Sequence, residues 1–70
     1  MIVPAEPTDL DTLRLRSEFL EMPGLAITIR QTARLVGVRT ERAADMLEAL
    51  EHEGFLTHEN DGTYHRCSAV

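Results

Sequence analysis

Residues 28–56 read TIRQTARLVGVRTERAADMLEALEHEGFL, and their pattern of small and apolar residues indicates the fold. Apolar residues recur every three or four positions on both sides of Gly37, which predicts two amphipathic helices joined by a tight turn. The small side chain of Ala33 lets the two helices approach each other, and Gly37 supplies the turn. The inner face of the helix that follows Gly37 carries three apolar residues, Ala43, Leu47 and Leu50. Gly54 is expected to end that helix.

The segments before this stretch predict one more helix and a brief strand. Asp9 is the expected N-cap of the first helix, and Pro23-Gly24 stops it. Its apolar positions form a face wide enough to be covered on two sides, namely Leu10, Leu13, Leu15, Phe19, Leu20 and Met22. Residues 25–27 are expected to form a short strand. Thr28 and Gln31 are spaced for a capping box at the start of the helix that precedes Gly37. In this helix, Leu35 is expected to face inward with Ala33 and Val36.

The C-terminal part predicts a β-hairpin. Residues 55–59 and 63–67 are expected to form two short strands around Asn60-Asp61-Gly62, because Asp-Gly favours a tight hairpin turn. The sequence therefore predicts a mainly helical α+β domain over residues 9–67. Residues 1–8, with two prolines and no helical period, are expected to form a flexible arm, and residues 68–70 a short tail.

Composition limits the classes of function. The 70 residues carry a net charge of −5, and all seven basic residues are arginine. None of the segments 1–27, 28–53 and 54–70 is net basic, whereas a nucleic-acid-binding protein usually presents a positive face. There is one cysteine, no apolar run of membrane-spanning length and no signal-peptide pattern. A cytoplasmic protein without a disulfide is expected.

The spacing of small and apolar residues from Ala33 to Gly54, followed by Phe55-Leu56, resembles the winged helix-turn-helix superfamily of bacterial regulators. The resemblance covers about residues 10–66. The segments EFLEMPGLAITIRQTARL (residues 18–35) and DGTYHR (residues 61–66) also resemble a group of small bacterial winged-helix proteins of unassigned function. This resemblance implies three helices followed by a β-hairpin wing. In DNA-binding relatives the second helix of the motif enters the major groove and the wing touches flanking phosphates.

Carried onto this chain, the resemblance implies a DNA-binding surface on the helix-turn-helix and the wing. Its residues are Arg30, Arg34 and Arg39 on phosphates, Thr40 and Arg42 near bases, and His65 and Arg66 on the flanking backbone. The four arginines could instead form a solvated face balanced by neighbouring acids. Under the DNA-binding hypothesis, double-stranded DNA is the partner and the protein is a small transcriptional regulator.

An acidic stripe on the second helix of the motif supports an alternative. Glu41, Asp45 and Glu48 fall on one helix face, where carboxylates would be repelled by DNA phosphates. This stripe is either a docking face for a basic protein partner or a solubilising surface. The alternative function is therefore a protein-interaction module that keeps the winged-helix scaffold and does not bind DNA.

Metal, cofactor and catalytic sites are not predicted. The candidate metal ligands His52, His58, His65 and Cys67 match no compact zinc motif. No set of residues suggests a nucleophile held against a base, so an enzyme is not expected. The apolar face of the first helix, particularly Leu15, Phe19 and Met22, is broader than one small core should need, which predicts a homodimer interface. The alternative is that the core of a single chain buries these residues.

Overall fold

The computed structural model describes residues 10–67. In this part of the chain, three helices and a three-stranded antiparallel sheet form a small, mainly helical α+β domain. The helices are α1 (Leu10–Glu21), α2 (Ile29–Val36) and α3 (Thr40–His52), and the strands are β1 (Ala26–Ile27), β2 (Leu56–His58) and β3 (Tyr64–Arg66). This confirms the prediction of a mainly helical α+β class. The predicted arm, the tail and the N-cap Asp9 lie outside the described residues.

Both ends of α2 are set by local sequence, as predicted. The Thr28 hydroxyl accepts a hydrogen bond from the backbone N–H of Gln31 at 3.1 Å, and the Gln31 side chain accepts one from the N–H of Thr28 at 2.9 Å. The predicted capping box is therefore present. At the other end, Gly37 has a φ of 79° and donates its N–H to the carbonyl of Ala33 at 2.8 Å. This left-handed conformation favours glycine and turns the chain toward α3.

The sheet places β3 between β1 and β2, so the short strand after α1 joins the hairpin. Ile27 of β1 pairs with Tyr64 of β3, and both lie on the face that packs against the helices. At the other edge of β3, His58 of β2 pairs with the same Tyr64. Because side chains alternate along a strand, His65 lies on the opposite, outer face with its partners Ala26 and Thr57.

The core lies between the three helices and the inner face of the sheet. Its buried apolar residues are Leu15, Phe19, Ile27, Val36, Met46, Leu47, Leu50 and Leu56. Leu15 and Phe19 are fully buried within a single chain. The core therefore accounts for these two residues, which belong to one buried cluster with residues of α2, α3 and the sheet, and a homodimer stays a prediction. None of the helices in residues 10–67 is long and apolar enough to cross a membrane.

One prediction about α2 is wrong. The sequence predicts that Leu35 faces inward, but 42% of it is exposed. The inner face of α2 is formed by Thr32, Ala33 and Val36, and the helical rotation places Leu35 to the side of this face. Thr32 is fully buried, and its hydroxyl is satisfied by donating to the carbonyl of Thr28 at 2.8 Å.

Candidate nucleic-acid interface

Two of the predicted DNA-binding arginines lie on the outer face of α2. Arg30 and Arg34 are one helical turn apart, and both are exposed. Together with Thr40 at the start of α3, they border a shallow cavity of about 600 Å³. The rest of its lining comes from Thr28, Gln31, Ala33 and Val38. The structure therefore brings three of the seven predicted residues together around one concavity.

The N-terminus of α3 adds a third arginine and a partial positive charge. Arg39 is exposed and occupies the N-cap position, where its side chain forms no capping hydrogen bond. The N–H groups of that turn carry the positive end of the helix dipole. Within residues 10–67, none of Arg30, Arg34 and Arg39 forms an ion pair with a carboxylate. These three arginines are called the cationic edge below.

Arg42 differs from these three because it faces α1. Its guanidinium lies 3.8 Å from the carboxylate of Asp11, near the start of that helix. The sequence does not show this pairing, since the two residues lie on different helices that only the packing brings together. The carboxylate of Asp11 therefore balances part of the positive charge of Arg42.

The two predicted wing residues point in opposite directions. Arg66 follows His65 on β3, so its side chain lies on the inner face of the sheet. Its guanidinium carbon is 5.0 Å from the centroid of the Phe55 ring, and that of Arg16 is 4.8 Å from the same ring. These are cation–π distances. Arg66 and His65 therefore cannot contact one phosphate backbone from the same face.

His65 is held by two hydrogen-bond acceptors. Its Nε2 lies 2.7 Å from the carboxylate of Glu59, and its Nδ1 lies 3.1 Å from the carbonyl oxygen of Arg66. Both ring nitrogens can donate only in the protonated imidazole. The hydrogen bond to Glu59 and then that to the carbonyl raise the pKa of His65 above its ordinary value. The carboxylate of Glu59 therefore stabilises the positive charge of protonated His65.

The connection between β2 and β3 is acidic. Asp61 accepts hydrogen bonds from the hydroxyl of Thr63 at 2.8 Å and from its backbone N–H at 3.0 Å, which lowers the pKa of Asp61. Asp61 is therefore ionised at neutral pH. With Glu59 it gives the tip of the hairpin two carboxylates and no arginine. Phosphate contact by this tip is electrostatically unfavourable.

The predicted acidic stripe is also solvent-exposed. Glu41, Asp45 and Glu48 lie on the outer face of α3, and none of them is ion-paired within the described residues. Asp45 and Glu48 border an open groove of about 410 Å³ with His52. The charges are therefore only partly segregated. Asp45 and Glu48 lie further along α3, whereas Glu41 lies in its first turn, beside the cationic edge.

The remaining polar residues form local pairs rather than a ligand site. His58 lies with its Nδ1 2.7 Å from the carboxylate of Glu51. Residues 10–67 contain no group of three or more His, Cys, Asp or Glu side chains that could hold a metal ion. The sequence did not lead us to expect the pairs His58–Glu51 and His65–Glu59. The second pair could have been inferred from the hairpin register, because Glu59 lies two residues after Thr57, the strand partner of His65, on the same face.

No family model matches this chain, and no curated protein or solved structure is significantly similar to it.

Proposed function

We propose that this protein is a cytoplasmic winged helix-turn-helix regulator that binds double-stranded DNA through the cationic edge. The observation that supports this proposal most strongly is the grouping of Arg30, Arg34 and Arg39. All three are exposed, are free of ion pairs within residues 10–67 and surround the N-terminus of α3. An arginine cluster beside a helix N-terminus provides the positive charge and the N–H donors that phosphates bind.

The positions of the carboxylates restrict how α3 approaches the duplex. Thr40, Glu41 and Arg42 lie in its first turn, so they approach base edges together when the helix enters the major groove with its N-terminus first. In this position the carboxylate of Glu41 can accept a hydrogen bond from a cytosine amino group. Asp45 and Glu48 lie further along the helix and are repelled by phosphates if α3 lies along the groove. We therefore propose an end-on approach. In this arrangement the two wing residues contribute less, because both ring nitrogens of His65 are already hydrogen-bonded within the protein and Arg66 stacks on Phe55.

The experiment that tests this proposal is fluorescence-anisotropy binding to a random-sequence DNA duplex, titrated from low to physiological salt. We expect binding that weakens as salt rises, because each phosphate contact releases counterions. Circular dichroism of the same samples verifies that the protein stays folded across the salt series. Absence of binding at the lowest salt would overturn the proposal.

The exposed carboxylates support a second candidate, a protein-interaction module that does not bind DNA. Glu41, Asp45 and Glu48 form an unpaired acidic stripe suited to a basic partner. The triple variant Glu41→Gln/Asp45→Asn/Glu48→Gln separates the two candidates. If DNA is the partner, the variant binds the duplex more tightly than the wild type. If a basic protein is the partner, the wild type binds an arginine-rich peptide, the variant loses this binding, and neither binds the duplex.

A further inference from the structure

The first turn of α3 presents one residue directly away from the domain. Successive residues of an α-helix are rotated by about 100° around its axis, so the buried residues define the direction of the inner face. In α3 these buried residues are Ala43, Met46, Leu47 and Leu50. Their mean direction lies opposite Glu41, which is exposed. Glu41 is therefore the first-turn residue that faces furthest outward when α3 approaches a partner.

The two neighbours of Glu41 are directed to the flanks of the helix. Thr40 borders the cavity on the side of α2. On the other flank, the guanidinium of Arg42 lies 3.8 Å from the carboxylate of Asp11 in α1. These two contacts define the rotation of α3 independently of its burial pattern. Both place Glu41 between the flanks, on the outer face.

The carboxylate of Glu41 is available to a partner. It forms no ion pair or hydrogen bond with any residue from 10 to 67. It also lies beside the cationic edge, which binds phosphates in the proposed function. A carboxylate that faced only phosphates would weaken DNA binding through charge repulsion. A hydrogen-bond donor on a base edge would offset this repulsion, because it would face the carboxylate directly.

The major groove restricts which base can supply that donor. Guanine presents two acceptors there, and thymine presents an acceptor and a methyl group, so neither can donate to a carboxylate. Adenine presents an amino group next to the N7 acceptor, which repels a second carboxylate oxygen. Cytosine presents an amino donor and no acceptor of its own. Cytosine is therefore the base that suits a glutamate side chain.

We propose that Glu41 is a specificity-determining residue that selects a cytosine at the base pair facing the start of α3. This role of Glu41 rests on the proposed function and adds to it the base that the protein reads. The cationic edge supplies affinity that does not depend on sequence, because the phosphates are the same at every position. Glu41 supplies selectivity, because only the cytosine amino group offsets the repulsion of its carboxylate.

The test is selection of bound duplexes from a DNA library with a randomised central segment, at low salt, followed by sequencing of the bound pool. For the wild type we expect one position at which cytosine is enriched roughly tenfold over the other bases, near the low end of what one base contact contributes. For Glu41→Gln we expect adenine at that position instead, since glutamine accepts from the amino group of adenine and donates to its N7.

The matched control is Glu48→Gln, which makes the same chemical change on the same helix face, two turns further along. Glu48 is exposed and has no ion-pair partner among the described residues, as is true of Glu41. The control should keep the cytosine preference of the wild type. Fluorescence anisotropy with the selected duplex, and with one in which the G·C pair is replaced by A·T, then measures the ratio of the two Kd values. We expect a ratio of roughly ten for the wild type and for Glu48→Gln, and a reversed preference for Glu41→Gln.

The outcomes distinguish the role of Glu41 from DNA binding itself. Absence of binding to every duplex would overturn both. Binding without a cytosine preference at any position would overturn the role of Glu41 alone, as would a wild-type preference in Glu41→Gln or an equal change in Glu48→Gln. Circular dichroism establishes that each variant is folded. The selection with the wild type tests the cytosine preference even if a variant does not fold.

Discussion

The cationic edge yields a quantitative prediction about DNA binding. Replacing Arg30 and Arg34 together by alanine removes two of its three arginines and leaves Arg39. Both side chains are exposed and have no ion-pair partner within residues 10–67, so their loss should not destabilise the fold. We expect the variant to fold normally and to lose most of the salt dependence of DNA binding.

The magnitude follows from the number of phosphate contacts. Each contact contributes about 0.9 to the slope of log affinity against log salt, so three contacts predict a slope of about −2.7. The affinity of the wild type should then fall roughly 40-fold between about 50 and 200 mM salt. With one contact remaining, the fall over the same range should be only about three- to fourfold.

The assay is fluorescence anisotropy with one random-sequence duplex at several salt concentrations. Arg14→Glu is the matched control, since it changes the net charge from −5 to −7, as the double alanine variant does, but lies on α1. This control should keep the slope of the wild type. The reasoning would be refuted if the double variant kept the wild-type slope, or if Arg14→Glu reduced the slope equally.

Three further predictions concern local structure. Thr28→Ala removes the acceptor of the capping box and should lower the free energy of unfolding by about 1 kcal/mol in urea titration, whereas Thr28→Ser should retain most of it. Gly37→Ala should cost about 1–2 kcal/mol by the same measurement through backbone strain alone, because a Cβ there meets no atom within 4 Å; no loss would contradict the left-handed turn. The pKa of His65 followed by NMR should exceed 6.5 and fall in Glu59→Gln, and an unchanged value would disprove the pairing. Because the folded-state pKa is raised, the stability that this pair contributes is fully present below about pH 6.5 and is lost as the pH rises through the raised value.

Features that depend on neighbouring residues were predictable from the sequence. The capping box of Thr28 and Gln31, the turn at Gly37 and the hairpin around Asp61 each need only a few adjacent residues with particular backbone preferences. The short strand before α2 was also predicted, since it lies between a helix stop and a helix start. These signals were sufficient for the α+β, mainly helical class.

Features of the candidate site that depend on packing were only partly predictable. The exposure of Arg30 and Arg34 follows from the helical period of α2, because the inner face is set by Ala33 and Val36. The pairing of Arg42 with Asp11 could not be predicted, since it requires the position of α1 against α3. The stacking of Arg66 on Phe55 likewise requires the strand order and register of the sheet.

Local sequence was enough to locate the helices, the turn and the hairpin, and to show that both charge signs are concentrated around α3. Packing between the elements sets which side of each one is covered. Leu15 and Phe19 became core while Leu10, Leu13 and Leu20 remained exposed, although all five are apolar residues of one helix. The physical reason is that local sequence sets backbone conformation, whereas burial depends on contacts between segments far apart in the chain.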